Sequence, residues 1–274
     1  MPLSIDLYFT FPQKSSTWRG ANVVLIDVLR STTSICHGMA AGCSRILPAA
    51  DLGEVTELVE SLGRSRVLLG GEKDARRIPG FDLGNSPAEY ADPRLKGQTV
   101  VMLTGNGTVA LARLRHQRVV AIAALVNLGA TARWLARQEG DVVIICSGNR
   151  EQFCLEDALC GGLLVRRLLD AWPEREPLLN DAARVGLALA ERYGADPRAG
   201  LEESTHGRGL QSLGFGADLE RCARVDELDL VPFYHDEQIT LRPPAPEVEE
   251  DETAAVGEIQ GSSGAEQREN QETA

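Results

Sequence analysis

The sequence predicts an α/β protein, a three-layer α/β/α arrangement around a mostly parallel sheet, built either as one sheet or as two similar lobes. Three observations predict it. Short runs of Val, Ile and Leu alternate with stretches whose apolar spacing is near 3.6 residues, the mark of strand following helix through most of the chain. Several of those runs break into small polar loops where the next helix begins, the place where open α/β sheets keep their ligands. Apolar residues make up 43% of the 274 residues and aromatics only 5%, a Val/Leu/Ala-rich balance suited to such layers.

In chain order, 5–10 reads as a short strand. The run 23–26 is a buried one that breaks at Asp27 into Arg30, Ser31, Thr32, Thr33 and a small-residue helix over 35–41. A strand at 46–49 precedes a helix to Leu62, with Asp51 and Glu54 at capping-box spacing. The strand at 67–69 ends in Gly70-Gly71-Glu72, and a loop follows with Lys73, Arg76, Arg77 and GFDLGNSP (80–87). Next come a strand at 99–103 entering TGNGT (104–108), a helix to Leu114, a strand at 119–123 and a helix over 128–138. A strand at 142–145 ends in Cys146-Ser147-Gly148-Asn149, and helices follow over 155–169 and 181–193. Residues 206–222 read as helix, glycine turn and short helix, and 231–234 with 239–241 as a closing hairpin. Pro, Glu, Gly and Ser without apolar periodicity then predict a disordered acidic tail over 243–274 behind a catalytic domain over 1–242.

The net charge of −12 is concentrated in that tail: nine acids against Arg268 place −8 on 243–274, leaving −4 for the body. A mildly acidic body has no basic footprint for nucleic acid or an anionic membrane, so an anionic ligand must be held by locally placed Arg and Lys. The six cysteines show neither a CxxC nor a Cys/His ligand spacing and read as buried thiols in a reducing compartment. The first residues carry neither a basic leader nor a long apolar core, and the longest apolar run, 119–126, is far short of the ~18–20 residues that span a bilayer. A soluble cytoplasmic protein is expected.

The chemistry concentrates at the strand ends. Asp27, Arg30 and the hydroxyls of Ser31, Thr32 and Thr33 lie within seven residues at a helix start, where free N–H groups and the dipole favour an anion. Asp27, Glu72, Glu156 and Asp157 supply oxygen ligands enough for Mg²⁺, which takes one or two carboxylates plus waters and a substrate phosphate. The structural alternatives are helix capping for Asp27 and helix-dipole stabilisation for Glu156 and Asp157. The GNGTVA stretch fits the G-x-G-x-x-A dinucleotide fingerprint, but the next strand ends in Ala121-Ile122-Ala123-Ala124, without the acid that would hold a ribose. The same loop serves equally as an N–H cradle for phosphate or carboxylate. Three residues lie between Cys146 and Arg150, where the phosphate loop of a cysteine phosphatase has five, so a nucleophilic Cys146 is disfavoured. Three function classes stay open at this point: phosphoester hydrolase, nucleotide-dependent oxidoreductase and non-catalytic anion-binding protein.

The blocks IDVLRSTTSI, GGE, GFDLGNSPAEY, GNGT, CSGN with LEDALCGG, and HGRGLQSLGFGADLERCARVD followed by VPFY occur in that order. Together they resemble the 2-phosphosulfolactate phosphatase family over nearly all of 5–241. The resemblance implies an α/β, Mg²⁺-dependent phosphatase that converts (2R)-2-phospho-3-sulfolactate to 3-sulfolactate and phosphate, in coenzyme M or other sulfonate metabolism. Phosphoryl transfer needs charge neutralisation and positioning, which a metal, an Arg and oriented N–H groups supply. Asp27, Arg30, Glu72 and Asp157 are accordingly the expected catalytic residues, and Asp27, Glu72, Glu156 and Asp157 the expected metal ligands. Ser31, Thr32 and Thr33 are expected on the phosphate. Asn85, Thr104, Asn106, Gly107, Thr108, Ser147, Gly148, His206 and Arg208 are expected on the other anionic groups. Attack comes from water or from Asp27; the Asp two residues on that an aspartate-nucleophile phosphatase would carry is here Leu29. The expected partner is a small anionic phosphoester, with no nucleic acid and no membrane, and a homodimer is left open.

Overall fold

In the computed structural model, described here for residues 3–12, 18 and 20–243, the long apolar runs become the strands of one sheet. In chain order the elements are β1 (Ser4–Tyr8), β2 (Asn22–Ile26), α1 (Ser31–Ala40), β3 (Arg45–Ala49), α2 (Leu52–Leu62), β4 (Val67–Lys73), β5 (Arg76–Arg77) and α3 (Pro87–Tyr90). There follow β6 (Thr99–Leu103), α4 (Gly107–Arg113), β7 (Val120–Ala123), α5 (Leu128–Leu135), β8 (Val142–Cys146), α6 (Leu155–Ala171) and β9 (Leu178–Leu179). The last are α7 (Asp181–Tyr193), α8 (Pro197–Glu203), α9 (Thr205–Ser212), α10 (Gly216–Cys222), β10 (Phe233–His235) and β11 (Gln238–Thr240). The expected tail lies, apart from Pro243, outside the described residues. No helix among the described residues is long and apolar enough to cross a membrane.

The strand order is β5-β4-β6-β3-β11-β10-β7-β2-β8-β1-β9. It contains two parallel blocks, β4-β6-β3 and β7-β2-β8-β1-β9, joined by the β10–β11 hairpin, which is antiparallel to the strand on each side of it. Both faces are covered, as expected for parallel strands. Val24 and Ile26 of β2 enter one core with α5, α6 and α7, whereas Val23 and Leu25 enter the other with α1 and α4. A third cluster packs α2 against β3, β4 and β6.

The three antiparallel steps from β3 to β7 make the two blocks run in opposite senses along the sheet, so their carboxyl ends do not form the single rim that an all-parallel sheet would give. The loops after β2, β8, β4 and β6 nevertheless meet over one cleft.

Candidate active site

The turn after β2 is braced by its own hydroxyls. Thr32 Oγ1 donates to the Asp27 carbonyl at 2.8 Å and accepts the Asp27 N–H at 3.1 Å, and Thr33 Oγ1 donates to the Val28 carbonyl at 2.8 Å. Ser31 Oγ lies 3.5 Å from Thr104 Oγ1. The expected phosphate nest of Ser31, Thr32 and Thr33 therefore needs correction: these side chains are buried and none lines the cleft. The physical reason is local, since a Ser or Thr hydroxyl near a helix start closes on the adjacent backbone more readily than it reaches outward. Asp27 Oδ1 accepts the Ser31 N–H at 3.3 Å, so the carboxylate steadies the start of α1 as well as facing the cleft.

The cleft has a volume of about 1340 Å³ and brings together Asp27, Arg30, Glu72, Asn85, Thr104, Asn106 and His206. Glu72, at the end of β4, ties two loops: its Oε1 accepts the Gly105 N–H at 2.8 Å and its Oε2 the Ala75 N–H at 2.7 Å. Thr104 and Thr108 lock the TGNGT turn, each N–H donating to the other's hydroxyl at 3.0 and 3.1 Å. Thr108 is fully buried and, with Gly107, lies behind the wall rather than on it. A Cβ on Gly107 would come within 2.4 Å of Ser31 Oγ and 2.8 Å of Asp27 Oδ2. The second glycine of the dinucleotide-like fingerprint is thus required by this loop's approach to Asp27, without any pyrophosphate. Asn85 is buried at 5% exposure with its Oδ1 unpartnered at the cleft wall.

Beneath Asp27 lie the two acids that open α6. Asp157 Oδ1 accepts the Val28 N–H at 2.8 Å, and Glu156 Oε1 meets His206 Nδ1 at 3.1 Å while its buried Oε2 has no partner. Burial pushes the Asp27 carboxyl up to about 6, against the opposing pull of the His206 charge, the Ser147 hydroxyl and the Ser31 N–H. Burial, then the charges of Glu156 and Asp27, hold Asp157 well above the usual carboxylate range. Burial pulls the His206 imidazole down, but its hydrogen bond to Glu156 together with the charges of Glu156 and Asp27 outweighs that and leaves it raised. The four expected metal ligands do not converge as one set. Asp27 and Glu72 face the cleft, Glu156 and Asp157 lie behind it. Among the described residues the three donors within 4.8 Å of one another are instead those of Cys154, Glu156 and His206.

Arg30 is held from three sides. Its Nη1 pairs with Asp218 Oδ2 at 2.8 Å, its Nη2 donates to the Ala75 carbonyl at 2.8 Å, and Phe215 lies 4.5 Å beneath the guanidinium. Sequence reasoning missed Asp218, because an acid in the first turn of α10 reads as ordinary dipole complementation. Asn149, Arg150 and Gln152 also line the cleft, on the strand-end loop that begins at Cys146. The signal for them was that loop itself. Lys73 and Arg76 reach the cleft edge from the β4–β5 turn. Ser147 and Gly148 are buried below it, and Arg208 is not brought to it: the Arg208 side chain folds back onto the Glu203 carbonyl and Thr205 Oγ1 on the exposed side of α9. Cys146 is fully buried and its thiol is held well above its ordinary value by burial and nearby acids, which rules it out as the nucleophile.

A family model described as 2-phosphosulpholactate phosphatase matches residues 9–237, a span that contains every residue of the cleft. The chain belongs to the 2-phosphosulpholactate phosphatase family. A probable 2-phosphosulfolactate phosphatase of Symbiobacterium thermophilum is 39% identical over 81% of this chain and 94% of its own length. The protein of the same name from Carboxydothermus hydrogenoformans is 38% identical over 85% of this chain and 94% of its own. That from a Synechococcus strain is 40% identical over 77% and 88%. In the 2-phosphosulpholactate phosphatase frame the four strand-end loops and the α9–α10 segment fall within one match.

Proposed function

We propose that the chain, a phosphoric monoester hydrolase by family membership, hydrolyses (2R)-2-phospho-3-sulfolactate to 3-sulfolactate and phosphate with Mg²⁺, in cytoplasmic sulfonate or coenzyme M metabolism. The observation that carries the reading is the placement of the Arg30 guanidinium and the Asp27 carboxylate on one cleft floor, with Glu72 beside them. The names of the relatives support the substrate.

The residues present fit Mg²⁺. Asp27 and Glu72 are hard oxygen donors facing the cleft, and two carboxylates with waters and a phosphate oxygen satisfy that ion. Burial raises both Asp27 and Asp157, and neighbouring acids add to it, Glu72 at Asp27 and Glu156 with Asp27 at Asp157, which a bound cation would offset. The Cys154, Glu156 and His206 set, with a thiol and an imidazole, suits a softer metal. When bound, Mg²⁺ would neutralise charge on the phosphoryl oxygens. Arg30 grips those oxygens through the N–H groups left free by its fixed partners. Asp27 orients the attacking water and takes its proton, and His206, steadied by Glu156, faces the same space with a proton to give. Lys73, Arg76 and Arg150 at the cleft edge suit the carboxylate and sulfonate of the substrate.

Phosphate release from phosphosulfolactate, measured with Mg²⁺ and with EDTA, tests the reading. Release that requires the metal is expected, whereas equal background in both would leave a protein that merely binds anions. Asp27→Asn is expected to abolish turnover with an unchanged circular dichroism spectrum; wild-type activity would remove Asp27 from the mechanism.

A further inference from the structure

The geometry points to Asp218 as the positioning residue that fixes the Arg30 guanidinium for the phosphoryl group, an inference that rests on the role given to Arg30 in the phosphoester reading. Arg30 and Asp218 are 188 residues apart in sequence, yet form an ion pair at 2.8 Å whose side chains are only 2% and 7% exposed. Asp218 Oδ1 is itself fixed, accepting the Ser86 hydroxyl at 2.5 Å. The Ala75 carbonyl takes a second N–H of the fork at 2.8 Å, and the Phe215 ring stacks at 4.5 Å. A planar guanidinium held by two hydrogen bonds in its plane and one aromatic face has no rotational freedom left.

Two of its five N–H donors are used in this way, which leaves the others for a ligand. Arg30 lines the cleft and Asp218 does not, so the carboxylate acts through the arginine. A buried pair of this kind adds little net stability, since desolvating both charges offsets most of their attraction. What it supplies is orientation before the substrate arrives, so that ordering a long side chain is not charged against binding. The three contacts on Arg30 come from α10, the β4–β5 turn and the residue before α10, and Ser86, just before α3, holds Asp218 in turn, so the α10 segment is tied to the catalytic turn through Arg30.

The test compares Asp218→Asn, Arg30→Lys and the double variant for kcat, KM and inhibition by inorganic phosphate. Asp218→Asn is expected to keep a cooperative thermal transition at a lower midpoint than the wild type's, because it leaves the buried guanidinium without its counter-charge. It should weaken phosphate inhibition and raise KM by about tenfold, the scale on which supporting residues act. In the Arg30→Lys background the same change should add less than roughly twofold, because contacting groups that act as a unit are non-additive. Wild-type phosphate inhibition in Asp218→Asn, or its full loss repeated on top of Arg30→Lys, overturns the inference. If Arg30→Lys itself leaves turnover and phosphate inhibition unchanged, the reading of Arg30 falls first and the inference with it. Should Asp218→Asn fail to fold, Ser86→Ala and Phe215→Leu decide. Each should weaken phosphate inhibition by about threefold, the low end for one lost supporting contact, and wild-type values in both overturn it.

Discussion

Asp27 is pulled two ways: burial favours its neutral form, while the imidazole, hydroxyl and N–H around it favour the charged one, and burial wins to bring it to about 6. If its carboxylate must take a proton from water, kcat/KM falls as pH drops through about 6, and a flat profile from pH 5 to 8 would detach Asp27 from that role. The sign for stability is the reverse. A carboxyl raised in the folded state is most favourable below its unfolded value, and its contribution is lost as pH rises from there through about 6. Asp27→Asn should thus melt no lower than wild type at pH 8 in EDTA; a clearly lower melting temperature would count against a strained carboxylate. At this scale the meeting of Asp27, Arg30 and Glu72 at one cleft was legible, because an apolar run breaking into charge is rare and local. The hydroxyls of Ser31 to Thr33 misled because sequence does not say whether a side chain points out or bonds its own turn. Arg208 was not brought to the cleft because a helix was expected there but its sequence does not say which face points inward, and Arg208 lies on the exposed side of α9.

The long strands β2, β6 and β8 and the helices α2 and α7 follow their patterns within a residue or two. The Asp51 side chain accepts the Glu54 N–H at 3.0 Å as expected, although the returning Glu54 Oε2 takes the Ala50 N–H at 2.8 Å, one residue earlier than a capping box requires. Two-residue strands such as β5 and β9 carry no local pattern, and α8 was missed because seven residues span barely two turns. Helices α6 and α7 meet at a pair of glycines, where a Cβ on Gly162 would lie 1.9 Å from the Gly186 carbonyl oxygen. Gly162→Ala is expected to destabilise the fold by about 1–3 kcal/mol through overpacking, read as a lower denaturation midpoint. Because α6 presents Glu156 and Asp157, its displacement should also lower phosphate release; an unchanged midpoint would mean the helices can part without cost.

The α/β class was legible at the scale of the molecule, since alternation of apolar runs and helices leaves few arrangements. The reversal between the two parallel blocks was not, because it depends on where a short hairpin inserts rather than on any pattern within a strand. The family match ends at residue 237, no residue lining the cleft lies beyond Leu213 and the supports of Arg30 end at Asp218, so removing 243–274 is expected to leave phosphate release at the wild-type rate; a large loss would assign those residues a part in the reaction. The β10–β11 hairpin carries a separate consequence. It is made late by the ribosome, so a nascent chain holds two sets of strands whose facing borders, β3 and β7, stay open until Phe233–Thr240 emerges. Unpaired borders of that kind invite pairing with other chains, and a transcript cut short before codon 233 should therefore yield aggregate rather than a weak enzyme.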